Sequence, residues 1–218
     1  MRAMAVRCLL YDVSELRDQK TFCEAMDRLP WEARRARVRR YKFAKDQCLS
    51  LGAGLLAAYA LTEAGAHDLG MAFGQHGKPY LQHHPHIHFN LSHSGHVALC
   101  AVGEEPVGAD VEVCHAYDAG IAEYSFTDDE RRWILAQPDT GRAFTRVWVR
   151  KESYLKLCGT GLTDDIRSLS VLPGAADVGD VTFWESEHER HHISICCKSD
   201  APVSLECAPP RFWASGVW

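Results

Sequence analysis

Apolar residues first recur with strand character at Val6, Leu9, Leu10, Tyr11 and Val13, so residues 5–13 predict an opening strand. Residues 15–28 read as a weakly amphipathic helix. Pro30 suits the first turn of the next helix, where its missing N–H costs nothing. That helix covers 32–41 and is dense in arginine. From 44 to about 63, Leu49, Ala53, Leu56 and Ala60 recur at helical spacing and predict one apolar stripe, with Gly65 as the stop signal. Gly74, Gly77, Pro79 and Pro85 cut the next stretch into loop and short strand. Apolar runs at 88–91 and 96–102 then predict two antiparallel strands, joined by a turn at Ser92-His93-Ser94-Gly95.

Glu104, Glu105 and Pro106 interrupt the pattern and suggest a boundary between residues 1–105 and 106–218. Beyond it come a strand at 107–113, a helix at 128–136, and a helix at 145–158 set apart by Pro138 and Gly141. Strands at 181–186 and 192–197 follow, joined by a polar turn at 187–191. Strand, helix, then antiparallel strands therefore occurs twice. The expectation is an α+β fold built by duplication of two half-size units, with a ligand cleft where they meet.

Composition narrows the function classes. Of 218 residues, 46% are apolar and 24% charged, which excludes collagen-like, disordered and coiled-coil chains. No run nears the length of a membrane span, and the N-terminal residues lack the pattern of an export signal, so a cytoplasmic protein is expected. The nine cysteines include no CxxC pair, which points to reduced, buried thiols rather than a thiolate zinc site. The net charge of -5 argues against a nucleic-acid binder. Against it stands a local excess between Arg28 and Lys45, with eight basic residues and one acid, Glu32. A solvated helix face, phosphate binding and docking of an acidic protein are all open readings of that run. RNA binding is disfavoured because Tyr41 and Phe43 form a single aromatic patch.

Alternation along Val107-Gly108-Ala109-Asp110-Val111-Glu112-Val113 sends Ala109, Val111 and Val113 to one face and both acids to the other. Paired carboxylates of this kind suit Mg²⁺. An acidic edge strand is the plainer reading. In Trp148-Val149-Arg150-Lys151-Glu152-Ser153-Tyr154-Leu155-Lys156, the spacing puts Trp148, Glu152 and Lys156 on one helical face. A surface Glu152–Lys156 pair is the plainer reading there. Taken together, the registers predict Asp110, Glu112 and Glu152 within reach of one metal ion, with Lys156 beside it, an arrangement suited to phosphoryl transfer. Zinc at His83, His84, His86 and His88 lacks a completing cysteine or acid. His93 is placed to reach a ligand from the turn, whereas His191-His192 reads as a solvated turn. Thr127 and Glu130 form a capping-box pattern, with approach of Glu130 to the metal as its alternative.

Gly77-Lys78-Pro79, Phe89-Asn90-Leu91-Ser92-His93-Ser94, Val107–Val113 and the segment from Trp148 to Lys156, followed by Gly161-Leu162, occur in this order. In that combination the chain resembles the 4'-phosphopantetheinyl transferases, specifically the longer monomeric type that activates surfactin synthetase and related carrier-protein systems. The similarity extends more weakly from Leu29 to about Cys197. The resemblance implies a pseudo-twofold monomer with coenzyme A between its halves. It further implies Mg²⁺ on Asp110, Glu112 and Glu152, and Lys156 near the reacting phosphate. His93, Arg34 and Arg37 would grip the 3'-phosphate, while Lys78 and Pro79 flank the nucleotide and Ser50 lies near adenine. Ser92 and Lys151, in the matched segments, would be further coenzyme A contacts, and Asp46 matches a common acid. Catalytic work would fall to Asp110, Glu152 and Lys156, with Glu152 taking the serine proton directly or through a metal-bound water. The implied activity is of the Mg-dependent holo-[acyl-carrier-protein] synthase type, acting on apo acyl or peptidyl carrier proteins, without nucleic-acid or membrane partners. A non-catalytic carrier-protein or nucleotide-binding module on the same fold is the alternative. Leu49, where some relatives have a basic residue, and Ala109, where many have Ile or Val, depart from the family pattern.

Overall fold

The computed structural model describes residues 5–74, 76–161, 164–175, 177–198, 200–215 and 218. Leu162 of the Gly161-Leu162 pair therefore lies outside the described residues, as do residues 1–4 of the N-terminal stretch.

The first strand, β1 (Val6–Asp12), is apolar at consecutive positions because both of its faces are covered. Leu9 and Tyr11 face α3 (Ala44–Glu63), while Cys8 and Leu10 face a second sheet. A 3-10 turn (Val13–Arg17) and α1 (Gln19–Arg28) replace the single helix expected at 15–28. Asp12 caps the turn and Asp18 caps the helix. Pro30 sits ahead of α2 (Glu32–Arg40) rather than in its first turn, since Trp31 is the N-cap. The apolar stripe predicted for α3 is too narrow. Every residue from Cys48 to Ala58 is buried, because the helix is wrapped by the sheet, α1, α2 and the C-terminal residues Phe212 and Trp213. Gly65 ends it at φ +92°.

A hairpin of β2 (Met71–Phe73) and β3 (Pro79–Leu81) leads to β4 (His88–Ser94) and β5 (Val97–Gly103). The turn between the last two strands is shorter than expected, comprising only Gly95, at φ +63°, and His96. Ser92 and His93 consequently belong to β4 itself. The second half opens with β6 (Val107–Val113), then α4 (Ala119–Ser125), which the hydrophobic pattern does not announce, and α5 (Asp128–Leu135). The capping box of Thr127 and Glu130 is present at the start of α5. Next comes α6 (Thr140–Cys158), which starts five residues earlier than 145 because Asp139 caps it. Gly141 lies inside its first turn, where an added Cβ would press on the His115 carbonyl at 2.6 Å.

Strands β7 (Thr182–His188) and β8 (His191–Cys197) meet in a two-residue turn, Glu189-Arg190. His191 and His192 are thus buried strand residues, not a solvated turn. The last strand, β9 (Val203–Cys207), runs parallel to β1.

The orders β4-β5-β1 and β7-β8-β6 repeat one antiparallel arrangement, and α3 and α6 occupy equivalent places after β1 and β6. β9 extends the first sheet beyond β1. The sheets pack back to back through Cys8, Leu10, Leu99, Val107, Ala109 and Ile195, with α3 outside one and α6 outside the other. Ala109 and Val111 fill this inter-sheet core as the alternation predicts.

Candidate active site

The halves meet where β4, the edge of one sheet, runs beside β6, the edge of the other. An edge strand leaves backbone groups without partners, and alternate side chains of β4 supply them here. Asn90 Oδ1 accepts the Ala109 N–H at 3.1 Å and Ser94 Oγ accepts the Val113 N–H at 3.2 Å. The same row continues into the acids. Ser92 Oγ donates to Asp110 Oδ1 at 2.6 Å and Ser94 Oγ to Glu112 Oε2 at 2.5 Å.

α6 lies against this same face of β6, the one that carries Gly108, Asp110 and Glu112. Gly108 makes this possible, because a Cβ there would collide with the Ser153 carbonyl and the Leu157 amide. That close approach sets the height of Glu152 and Lys156 relative to Asp110 and Glu112. Lys156 Nζ reaches Asp110 Oδ1 at 2.5 Å and Ser92 Oγ at 3.1 Å.

These groups line a cleft of about 650 Å³ between the halves. Asp110, Glu112, Glu152, Lys156 and Ser92 are on its wall, with Trp148 one turn before Glu152. The same cleft is also lined by Arg34, Arg37, His93 and Ser50, and by Pro79 of the β2–β3 hairpin. Trp31, Tyr41, Met71, Phe73 and Leu91 give the cleft apolar surface, and sequence spacing alone singled out none of them as cleft residues. The cleft lining therefore combines an acidic set with a basic one.

Burial pushes the Glu112 carboxyl up to about 7, with Asp110 and Glu152 adding to the shift and Ser94 and Lys156 opposing it. Burial, then Asp110, likewise raises Glu152. His93 is held below its ordinary range by burial and then by Arg34, Lys156 and Arg37. Burial and neighbouring Arg37 push Arg34 down to about 10, which leaves it cationic at neutral pH. Arg34 lies flat across α3, donating to the Ser50 carbonyl at 3.1 Å, in space that a side chain at Gly54 would take. Arg35, its neighbour, turns instead to Glu32 at 2.8 Å.

The three acids line one wall but do not close around a point: among the described residues, no three His, Cys, Asp or Glu side chains stand close enough to hold a metal. Two expected contacts are corrected, those of Lys151 and Lys78. Lys151 is fully buried on another face of α6, bonded to the Ser125 and Ile166 carbonyls and paired with Glu130 at 2.8 Å. It cannot contact a ligand in the cleft, and Glu130 is equally remote, since it also accepts the Val171 N–H. Lys78, finally, turns its ammonium away from the cleft to the carbonyls of Lys156 at 2.6 Å, Leu157 at 3.2 Å and Val107 at 3.3 Å. Asp46 occupies the first turn of α3, where a carboxylate complements the helix N-terminus.

The donor set still suits a hard divalent cation. Asp110 Oδ2 and Glu152 Oε1 are both buried without a hydrogen-bond partner, and three carboxylates face one ammonium. Buried carboxylate oxygens left in this condition are costly unless a cation or proton meets them.

Comparison with known proteins agrees with this architecture. A family model described as the 4'-phosphopantetheinyl transferase superfamily matches residues 106–206, and one described as 4'-phosphopantetheinyl transferase, N-terminal, matches residues 17–105. Over 179 residues the chain is 35% identical to a 4'-phosphopantetheinyl transferase of Bacillus subtilis, covering 75% of this chain and 80% of that one. It is 32% identical over 161 residues to the 4'-phosphopantetheinyl transferase psf-1 of Bacillus pumilus, covering 72% and 68%. With the 4'-phosphopantetheinyl transferase gsp of Aneurinibacillus migulanus it shares 31% identity over 178 residues, covering 76% and 74%.

Proposed function

The chain belongs to the 4'-phosphopantetheinyl transferase superfamily, and from that premise we propose that it transfers the 4'-phosphopantetheine group of coenzyme A to a serine of an apo carrier protein. The observation that carries this reading is a single cleft lined both by carboxylates with Lys156 and by Arg34, Arg37 and His93. Coenzyme A, with a pyrophosphate on the 5' oxygen and a single phosphate on the 3' oxygen of one ribose, offers anionic groups to both the carboxylate-and-lysine set and the arginines.

The carrier's serine oxygen forms a bond to the pantetheine-side phosphorus. The bond from that phosphorus to the bridging oxygen breaks, and 3',5'-adenosine bisphosphate leaves with the electron pair. Glu152 accepts the serine proton, since it stands on the cleft wall with Oε1 unpaired. Lys156, fixed by Asp110 and Ser92, stabilises charge on the phosphoryl oxygens as it shifts. Asp110, Glu112 and Glu152 would hold Mg²⁺, which when bound neutralises the pyrophosphate against the incoming nucleophile. Arg34, Arg37 and His93 grip the 3'-phosphate, and Trp31, Phe73 and Pro79 offer the adjoining apolar surface to the adenine. Acyl and peptidyl carriers are the proposed acceptors, in the manner of a holo-[acyl-carrier-protein] synthase. One chain supplies both the acidic and the basic residues of the cleft, which supports action as a monomer.

A non-catalytic binding module would not need Lys156 beside Asp110. Arg37→Ala tests the orientation of coenzyme A. Loss of a charge-assisted contact should raise the KM for coenzyme A roughly tenfold, while the KM for dephospho-coenzyme A, which lacks the 3'-phosphate, should barely move. Equal shifts for both would remove Arg37 from that role.

A further inference from the structure

The side chain of Lys78 lies outside the cleft although its neighbours Gly77 and Pro79 line it. Its ammonium is inserted at the C-terminal end of α6. The last carbonyls of a helix have no intrahelical donor, and they carry the negative end of the helix dipole. Lys78 Nζ meets two of them, Lys156 O at 2.6 Å and Leu157 O at 3.2 Å. Gly159, at φ +71°, ends the helix there, and a Cβ on it would touch the Lys78 stem at 3.4 Å. The third contact, Val107 O at 3.3 Å, is the first residue of β6.

Each of these partners belongs to an element that carries cleft acids. Val107 begins the strand that carries Asp110 and Glu112, while Lys156 and Leu157 belong to the helix that carries Glu152. The lysine itself comes from the β2–β3 hairpin of the other half, whose Met71, Phe73, Gly77 and Pro79 line the cleft. One ammonium thus ties three elements at the point where the halves must hold register. Its three protons match its three acceptors, which leaves none for a phosphate.

We propose that Lys78 is a positioning residue that clamps the hairpin to α6 and β6 and fixes Lys156 for phosphoryl transfer, without itself touching coenzyme A. This rests on the transferase reading of the cleft, but the clamp has a signature independent of turnover. Without it, the end of α6 and the hairpin move relative to one another, and Lys156 loses its alignment with the reacting phosphorus. A misplacement of about 1 Å is enough to slow an aligned reaction by one to two orders of magnitude.

The test is Lys78→Met, which keeps the length of the stem and removes the charge. In the ligand-free protein, amide hydrogen exchange should quicken in residues 71–81 and 156–160 and stay unchanged in β1 and β5. With coenzyme A and an apo carrier, kcat should fall about tenfold while the KM for coenzyme A stays within about twofold. A Lys78→Met change made on top of Lys156→Ala should cost no further activity, because both act through one group. A KM raised tenfold at unchanged kcat would mean direct contact with the cofactor and overturn the proposal. Unchanged exchange at both segments would overturn it equally. If the wild-type chain transfers nothing, the transferase reading fails by itself, and the exchange pattern still decides whether the clamp exists. Global loss of folding in Lys78→Met, checked by its melting curve, would also count against a local positioning role.

Discussion

Replacing Lys156 with alanine is expected to lower kcat by about 10²-fold or more and to leave the KM for coenzyme A much less affected. The ammonium is fixed before substrate arrives, by Asp110 at 2.5 Å and Ser92 at 3.1 Å. A preorganised cation needs no reorientation as charge moves during transfer, so its removal costs more at the transition state than in the bound complex. Were Lys156 only a surface partner of a carboxylate, the loss would stay within about threefold, since an exposed pair contributes under about 1 kcal/mol. Steady-state kinetics with a saturating apo carrier separates these outcomes, provided that the variant melts at the wild-type temperature.

The second large effect concerns stability and falls on Lys151. Its pair with Glu130 is sealed from water, both side chains having no exposed area. Burial lowers the Lys151 pKa, and the hydrogen bond and charge of Glu130 oppose that shift. Lys151→Met leaves a buried carboxylate that still accepts the Thr127 and Val171 amides but has lost its cation. Breaking a buried pair in this way costs about 3–5 kcal/mol, which for a chain of this size is a fall of roughly 10 °C in Tm. Adding Glu130→Gln, which removes the stranded charge and keeps an acceptor for the cap, should recover part of the loss. A single-variant Tm within about 2 °C of wild type would show that the pair is not a structural support.

Lys151 also shows what was legible beforehand and what was not. It adjoins Glu152 in sequence, yet a step of one residue along a helix turns the side chain by roughly 100°. The face defined by Trp148, Glu152 and Lys156 therefore already excluded Lys151 from the cleft. The acids of β6 were legible for the converse reason, since strand alternation permits only one assignment of Asp110 and Glu112 once Ala109 and Val111 are core. The duplication was legible because the order of elements repeats. β9 was not, because its partner β1 lies far away in the chain and five residues carry little pattern. The position of His93 depended on turn length: a two-residue turn with Gly95 at positive φ extends β4 through Ser94. Lys78 was hidden most thoroughly. A side chain that bonds backbone carbonyls of distant elements leaves no residue-type signal at its partners. Gly108 belongs with it, since it stands in the motif for a reason that only the approach of α6 reveals.

The central claim is transfer itself, and intact-mass measurement of the acceptor tests it most directly. A panel of apo carriers from fatty-acid, polyketide and nonribosomal-peptide systems is incubated with the chain, coenzyme A and Mg²⁺. At least one carrier should gain the mass of a single phosphopantetheinyl group on its serine. That gain should vanish with EDTA, and with Asp110→Ala in a protein that remains folded. Carriers that keep their apo mass throughout, with a folded wild-type chain that binds coenzyme A, would contradict the account.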